Sequence, residues 1–332
     1  MKVKIVGCGL SGITSAIILK EKGHHVEIFE SRYHIGGNCY DSNTNGVLLH
    51  NYGPHIFHTD DEEVFSFLSR YTEWEEFFLR PVANTYLGKI PIPYSKKTIE
   101  KIGKELSQEE IIKYLFKDYS EKQWGVPFSE IPSSITNRIP KTKDCENPTW
   151  FEGQKYQCIP KFGYTKMMEN MLDGIKVHIG VENNEWRKYN ADLTIFTGKI
   201  DDFFEKAHGD LPYRSLVFKH KFTSKKQNTF CINDNTNLNK YTRKYDHSFF
   251  TKNHKGPTII TKEYSKLAED GDVPFYPIPF GEGVDIYNKY KAMADNEKNV
   301  IFTGRLATYK YLDMWMAIRH AMNKMNKIQN VF

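Results

Sequence analysis

The chain has 332 residues, of which 39% are hydrophobic and 26% charged, with a formal net charge of +5; this size buries a substantial core, divided into about two or three subdomains. No window approaches roughly eighteen uninterrupted apolar residues, and the start carries glycines where a signal peptide has a cleavable apolar segment, so a cytoplasmic protein without a membrane partner is expected. Lys and Arg are spread along the sequence in place of a basic stripe, which argues against nucleic acid. The five cysteines Cys8, Cys39, Cys145, Cys158 and Cys231 are scattered and lack a CxxC pair, so reduced thiols and no metal site are expected.

Val3 to Val6 reads as a buried parallel strand, and Gly7, Gly9 and Gly12 as the tight turn into a helix whose N-terminus can hold a pyrophosphate. A second strand, Val26 to Phe29, ends at Glu30, eighteen residues past Gly12, where a carboxylate accepts both hydroxyls of an adenosine ribose. A glycine fingerprint alone is weak evidence; strand, helix, second strand and acid in register make a dinucleotide site. Gly36-Gly37-Asn38 follow as a second point of backbone approach, like the extended FAD fingerprint, and FAD is favoured over NAD.

Further on, Val47 to His58 reads as a strand and a turn at Gly53-Pro54, residues 60 to 71 as a helix, and Pro81 to Pro93 as a hairpin around Leu87-Gly88. Lys97 to Trp124 suggests two short helices. Residues 125 to 161 hold five prolines and read as a long, partly mobile loop of the kind that serves as a lid. Phe162 to Leu172 looks helical, Lys176 to Ile179 and Leu193 to Phe196 look like strands, and residues 213 to 264 alternate as an antiparallel sheet. VIFTGR at 300 to 305 is a buried strand before a helix from Asp313 to Ile328. The fold class that follows is α/β: an FAD-binding Rossmann-like domain (1–80, 163–212 and 295–332), an inserted small helical domain (95–136), and an antiparallel β-sheet domain for substrate (81–94, 137–162 and 213–294) with a mobile loop at 125–150.

With these residues in place the chain resembles the UDP-galactopyranose mutases nearly end to end. The motifs are HIGGN at 34–38, YGPHIFHT at 52–59, YSEKQWG at 119–125, NRIP at 137–140, IPKFGYTK at 159–166, NKYTR at 239–243, TKEY at 261–264, FYP at 275–277 and GRLATYKYLDM at 304–314. The resemblance implies a reaction without net redox. Through its N5 the reduced flavin attacks the anomeric carbon of a nucleotide sugar and expels the diphosphate; the covalent flavin–sugar adduct opens, recloses through another ring oxygen and is recaptured. It further implies NAD(P)H or a reductase as electron source, galactofuranose supply for cell-surface polysaccharide, and a nucleotide-diphosphate sugar as the small-molecule partner.

The residues follow from the matching motifs. Arg138 and Arg243 match the diphosphate arginines, a task suited to a permanently charged guanidinium fork; taken alone, each would be read as a surface ion pair. Tyr119, Tyr276 and Tyr311 match tyrosines at the nucleotide or diphosphate, Trp124 the tryptophan of the closing loop, and Asn84, Asn233, Trp150 and Tyr156 further substrate positions. His55 matches the histidine lying against the flavin. Implied cofactor contacts are Gly7, Gly9, Leu10, Ser11, Gly12, Glu30, Ser31, Gly36, Gly37, Asn38, His55, Ile56, Gly304, Arg305, Tyr311, Leu312, Asp313 and Met314.

Two departures stand out. The segment between Pro93 and Tyr119 is shorter than in typical bacterial members, where it supplies a dimer interface, so a monomer or a non-standard dimer is expected. Trp150 stands where most members have a tyrosine, after the small insertion KTKDCENPT, so the preferred sugar or nucleotide is expected to depart from UDP-galactose toward a close relative such as a UDP-N-acetylhexosamine, a deoxyhexose nucleotide or UDP-arabinopyranose. Two other classes compete: a redox flavoenzyme of the amine oxidase or desaturase type, which gives no reason for Arg138 and Arg243, and a catalytically silent nucleotide-sugar binder, which would be expected to lack His55 or the FAD signature.

Overall fold

The computed structural model describes residues 1–137 and 145–330. The alternation of β-branched residues in KVKIV and HVEIF places two strands, Lys2–Val6 and His25–Phe29, at the heart of a five-stranded parallel sheet. Lys176–His178 flanks His25–Phe29, and Leu193–Phe196 followed by Val300–Phe302 lies on the other side of Lys2–Val6. Three distant stretches of chain therefore build one sheet. The Leu10–Glu21 helix lies on one face beside Met314–Met325, with Ile13, Ile17, Ile318 and Met322 in their shared core. On the other face Phe196, Phe203, Phe302 and Tyr290 interlock.

A second sheet has seven strands in the order Tyr276–Pro277, Tyr213–Thr223, Thr258–Leu267, Arg243–Asp246, Cys231–Asp234, Val82–Thr85 and Gly88–Pro91. It is antiparallel except where Cys231–Asp234 runs parallel to Val82–Thr85, because the hairpin at 82–91 joins a sheet made otherwise of later strands. The hairpin expected around Leu87-Gly88 is present.

The structure departs from the sequence reading at several elements. Lys96–Ile102, Gln108–Leu115 and Lys117–Trp124 are three helices instead of two: capping boxes of Ser95 with Thr98 and Ser107 with Glu110 start the first two, and the non-helical backbone of Phe116, at φ −138°, separates the third. Residues 156 to 160, expected within the loop, are the central strand of a small sheet between Phe57–Thr59 and Trp74–Glu76. The Glu282–Asp295 helix was not expected and sends Tyr290 into the aromatic core beneath the parallel sheet, so it packs with the dinucleotide side of the molecule. All five cysteines are free; burial first of all pushes the thiols of Cys8, Cys39, Cys158 and Cys231 up to about 12. Among the described residues no helix is long and apolar enough to cross a membrane, and no group of His, Cys, Asp and Glu could hold a metal.

Candidate active site

The glycine turn builds one wall of a cavity of about 860 Å³. Gly9 caps the Leu10–Glu21 helix without a side-chain partner for its first N–H groups, which leaves them for an anion. Gly9 and Gly37 stand so close that a Cβ on Gly37 would lie 3.1 Å from the Gly9 Cα, so two loops present bare backbone at one place. Glu30 is buried; Oε2 accepts from the Cys8 N–H at 2.7 Å and Oε1 from the Arg32 N–H at 2.9 Å, which holds the carboxylate at the cavity edge. Arg32 also lines the cavity, its Nη1 buried and without a hydrogen-bond partner while Nη2 donates to Asn38 Oδ1 at 2.9 Å. An uncapped helix start, an anchored carboxylate and an orphaned guanidinium N–H together fit a dinucleotide with its pyrophosphate and ribose.

Leu10, Ser11, Ser31, Gly36, Gly304 and Met314 line this cavity as expected, but five expected cofactor contacts do not: Ile56, Tyr311 and Asp313 line the neighbouring cavity described next, and Gly12 and Leu312 line neither. Gly12 packs behind it, where a Cβ would sit 2.0 Å from the Gly7 carbonyl oxygen, so its role is to let helix and strand approach. Leu312 serves through its backbone, accepting from Arg305 Nη2 at 2.5 Å.

A second cavity of about 770 Å³ lies against the first, and the two share Asn38, His55, Arg305 and Met314 as walls. Ile56, Tyr119, Trp124, Trp150, Asn233, Arg243, Tyr276, Tyr311 and Asp313 line it. Arg243 donates from Nε to Glu263 Oε1 at 2.9 Å, and Thr242 Oγ1 donates to the same oxygen at 3.0 Å. Burial opposes the Arg243 charge, yet the Glu263 carboxylate and the neighbouring Tyr119 and Tyr276 hold its pKa well above the usual arginine range. Tyr276 and Tyr311 stack at 5.3 Å, and the Arg305 guanidinium lies 5.5 Å from the Tyr276 ring. Burial pushes the Tyr119 hydroxyl up and that of Tyr276 to about 12, so both remain donors at neutral pH.

His55 sits on the shared wall with Nδ1 2.8 Å from the Gly53 carbonyl, which fixes Nδ1 as the protonated nitrogen of the neutral ring and Nε2 as its acceptor. Burial, then the positive charges of Arg305 and Arg243, lower its pKa to about 4. Its backbone N–H donates to Nδ1 of buried His50 at 3.1 Å, and the His50 N–H donates in turn to Nδ1 of buried His247 at 3.3 Å.

The Lys117–Trp124 helix carries Tyr119 and Trp124 to the second cavity. It ends at Gly125, with φ of 73°, where a Cβ would lie 2.6 Å from Arg214 Nη1; that guanidinium caps the helix end by donating from Nε to the Gln123 carbonyl at 2.9 Å.

Two expected substrate residues lie outside both cavities. Tyr156, at the start of the small sheet's central strand, stacks on Phe65 at 3.6 Å and donates to Glu62 Oε2 at 2.8 Å. Asn84 donates to Asp234 Oδ2 at 2.9 Å, because strand alternation turns it away from Ala83, which packs on the helical insertion. Arg138 lies outside the described residues, and Ile135, just before it, lines the substrate cavity. Glu263 and Arg32 were not singled out from the sequence. The available signals were the place of Glu263 within the TKEY motif, to which no role was given, and an arginine two residues past Glu30.

An α/β fold with a dinucleotide cavity that shares four lining residues with a basic, tyrosine-rich second cavity defines a cofactor-dependent enzyme. Residues 114–311 match the family model described as UDP-galactopyranose mutase, and residues 5–71 that of an NAD(P)-binding Rossmann-like domain. The chain is 33% identical over 375 residues to a dTDP-fucopyranose mutase of Escherichia coli, covering 97% of this chain and 96% of that protein. It is 32% identical over 364 residues to a probable UDP-galactopyranose mutase of Klebsiella pneumoniae, covering 96% and 92%. A crystal structure of reduced UDP-galactopyranose mutase superposes with a TM-score of 0.74 over 98% of this chain and 94% of that one, at 11% identity, a likeness of fold. The chain belongs to the UDP-galactopyranose mutase family, and is an isomerase of that flavoenzyme type. Likeness to a probable zeta-carotene desaturase of Synechococcus elongatus extends over only 92 residues, 27% of this chain, so the desaturase reading is a distant relation.

Proposed function

We propose that the protein interconverts the pyranose and furanose forms of a nucleoside-diphosphate hexose, UDP-galactose or a close relative such as its 6-deoxy counterpart, on reduced FAD. The observation that carries this reading is the meeting of the two cavities at Asn38, His55, Arg305 and Met314, with Arg243 on the substrate side. When bound and reduced, FAD supplies nucleophilic chemistry at the anomeric carbon that displaces the diphosphate and is displaced by it in turn, with no net oxidation. NAD(P)H or a reductase is the electron source in this reading.

The chain's own residues meet what that chemistry asks. Arg243 binds the diphosphate and, being permanently charged, keeps it close through departure and return. Arg138 is the second guanidinium of this reading. Tyr119, Tyr276 and Tyr311 face the same cavity, and the hydroxyls of Tyr119 and Tyr276, kept protonated by burial, donate to phosphate oxygens. His55 Nε2, neutral at physiological pH, can hold a proton at the shared wall and release it as the sugar ring opens and closes. Trp124 and Trp150 add two indole faces to the lining of the same cavity.

The E. coli relative is named for dTDP-fucopyranose and the Klebsiella relative for UDP-galactopyranose, so both belong in the test. Dithionite-reduced protein incubated with UDP-galactose and dTDP-fucose, read by chromatography, is expected to yield the furanose form of at least one, while oxidised protein yields none. Consumption of one reductant per product would overturn the reading, as would activity indifferent to the redox state.

A further inference from the structure

Strand alternation sorts the seven-stranded sheet into a cavity face and an outer face. Arg243 and Glu263 form a register pair on the cavity side. The next pair, Lys244 and Lys262, turns outward, and Lys262 is paired in turn with Lys219 on the strand beyond. Three lysines thus stand in one row across three strands about 4.8 Å apart. Like charges placed directly opposite destabilise a sheet, and no carboxylate stands in the row. Burial first, then Lys262 and Lys89 of the neighbouring hairpin, lower the Lys244 pKa, with Asp246 opposing them. Aromatic rings offset part of the repulsion, since Lys219 lies 5.1 Å from the Tyr264 ring and Lys262 5.0 Å from that of Tyr241.

Charge spread along the sequence converges here on folding. Residues 211–233 and 247–262, brought together by the Tyr213–Thr223 and Thr258–Leu267 strands, hold seven lysines and no Asp or Glu. An apolar knob adjoins Lys89, whose charge acts on Lys244 of the row. Tyr86 and Leu87, in the turn just before Lys89, are 57% and 49% exposed, and Leu238 is 80% exposed. The Asn237 N–H donates to the Tyr86 hydroxyl at 2.8 Å and clasps the two loops together.

We propose that this outer face docks on an anionic lipid surface, its lysines over the headgroups and Tyr86, Leu87 and Leu238 in the interface. Lysine, a compact charge on a flexible stem, suits mobile headgroups, and an exposed apolar knob beside basic residues is what an interfacial protein inserts. Duplex nucleic acid would engage the lysines and leave the knob in water. The sequence alone led to the opposite expectation, because the array exists only after strands distant in sequence pair.

The test is co-sedimentation of the full chain with vesicles of phosphatidylcholine alone or mixed with phosphatidylglycerol. Binding is expected only to the mixed vesicles and to weaken with salt. The triple variant Lys219→Gln, Lys244→Gln, Lys262→Gln is expected to partition roughly a hundred-fold less, about 1 kcal/mol per lysine. Lys166→Gln, Lys188→Gln, Lys298→Gln, with the same change of charge on exposed lysines elsewhere, is expected to bind as before. Leu87→Ser with Leu238→Ser is expected to weaken binding without altering its salt dependence. Flavin absorbance and turnover of dissolved nucleotide sugar report that each variant is folded; should the first triple fail to fold, Lys219→Gln alone is expected to weaken binding roughly five-fold, about 1 kcal/mol. Equal losses in the two triples would overturn the proposal. So would retention of duplex DNA or an acidic polypeptide with no binding to phosphatidylglycerol vesicles.

Discussion

Arg243 donates from Nε to Glu263 Oε1 at 2.9 Å in a cross-strand pair whose carboxylate is fully enclosed while its guanidinium borders the substrate cavity. One arginine therefore has a structural partner behind it and, in the proposed reaction, a diphosphate in front. The two duties are separable.

Arg243→Ala is expected to cut kcat/KM by about 2–5 kcal/mol of transition-state binding. It is also expected to destabilise the fold by about 3–5 kcal/mol, because the Glu263 charge is left buried and unpaired. Adding Glu263→Gln should restore most of the stability and none of the activity, as read by urea unfolding beside steady-state kinetics. Unchanged activity in the single variant would return Arg243 to a purely structural ion pair.

Arg138→Ala is expected to lower kcat/KM by a similar margin, about 2–5 kcal/mol, with the flavin spectrum unaltered. Normal turnover in this variant would remove the second guanidinium from the reaction.

Glu30 holds the Cys8 and Arg32 N–H groups as well as facing the proposed ribose. Glu30→Ala should weaken flavin retention by about 1.5–3 kcal/mol, roughly ten- to a hundred-fold in Kd. Fluorescence of released flavin on dilution measures it, and undiminished retention would contradict the assignment.

His50 and His247 are enclosed, and burial foremost pulls the pKa of His50 well below 6.5 and that of His247 to about 3. The unfolded chain binds protons at these sites below about pH 6.5 and the folded chain does not. Their contribution to stability is therefore complete above that pH and is lost as pH falls toward the folded values, by about 1.4 kcal/mol per pH unit for each ring. His247→Gln should reduce the slope of unfolding free energy against pH between 6 and 4, each value approximate, by about one proton. An unchanged slope would mean that this ring titrates alike in both states.

The helices Lys96–Ile102 and Gln108–Leu115 turn Ile111 and Leu115 into a core with Ala83, Ile90 and Tyr94, which satisfies their apolar faces within the chain. Light scattering is expected to show a monomer or a dimer arranged through another surface; a dimer built through residues 95 to 118 would refute this.

The dinucleotide half was legible because its signals are local: glycines, a strand, a helix and an acid within forty residues or so follow fixed periods. Site residues carried by motifs mostly reached the cavities, as Tyr119, Tyr276 and Tyr311 show. Tyr156 and Asn84 missed them because a strand's period of two turns neighbours to opposite faces, and a motif does not tell which face is inside. The parallel pairing of Val82–Thr85 with Cys231–Asp234 joins chain segments far apart in sequence and leaves no local trace. The Glu282–Asp295 helix had a readable cue in Tyr287, Tyr290 and Met293 at three-residue spacing after Gly281, set among polar residues that obscured it.

The bed for the dinucleotide is assembled from the first strand–turn–helix and from Gly304, Arg305 and Met314, nearly three hundred residues later. During synthesis on the ribosome the N-terminal unit emerges long before its C-terminal counterpart, so the nascent chain meets the flavin with half a binding site. Loading is expected to await synthesis through Met314, and a message truncated before that point is expected to yield an apoprotein. Ligand binding then links the two ends of the chain across everything inserted between them, so flavin loss and global unfolding are coupled events.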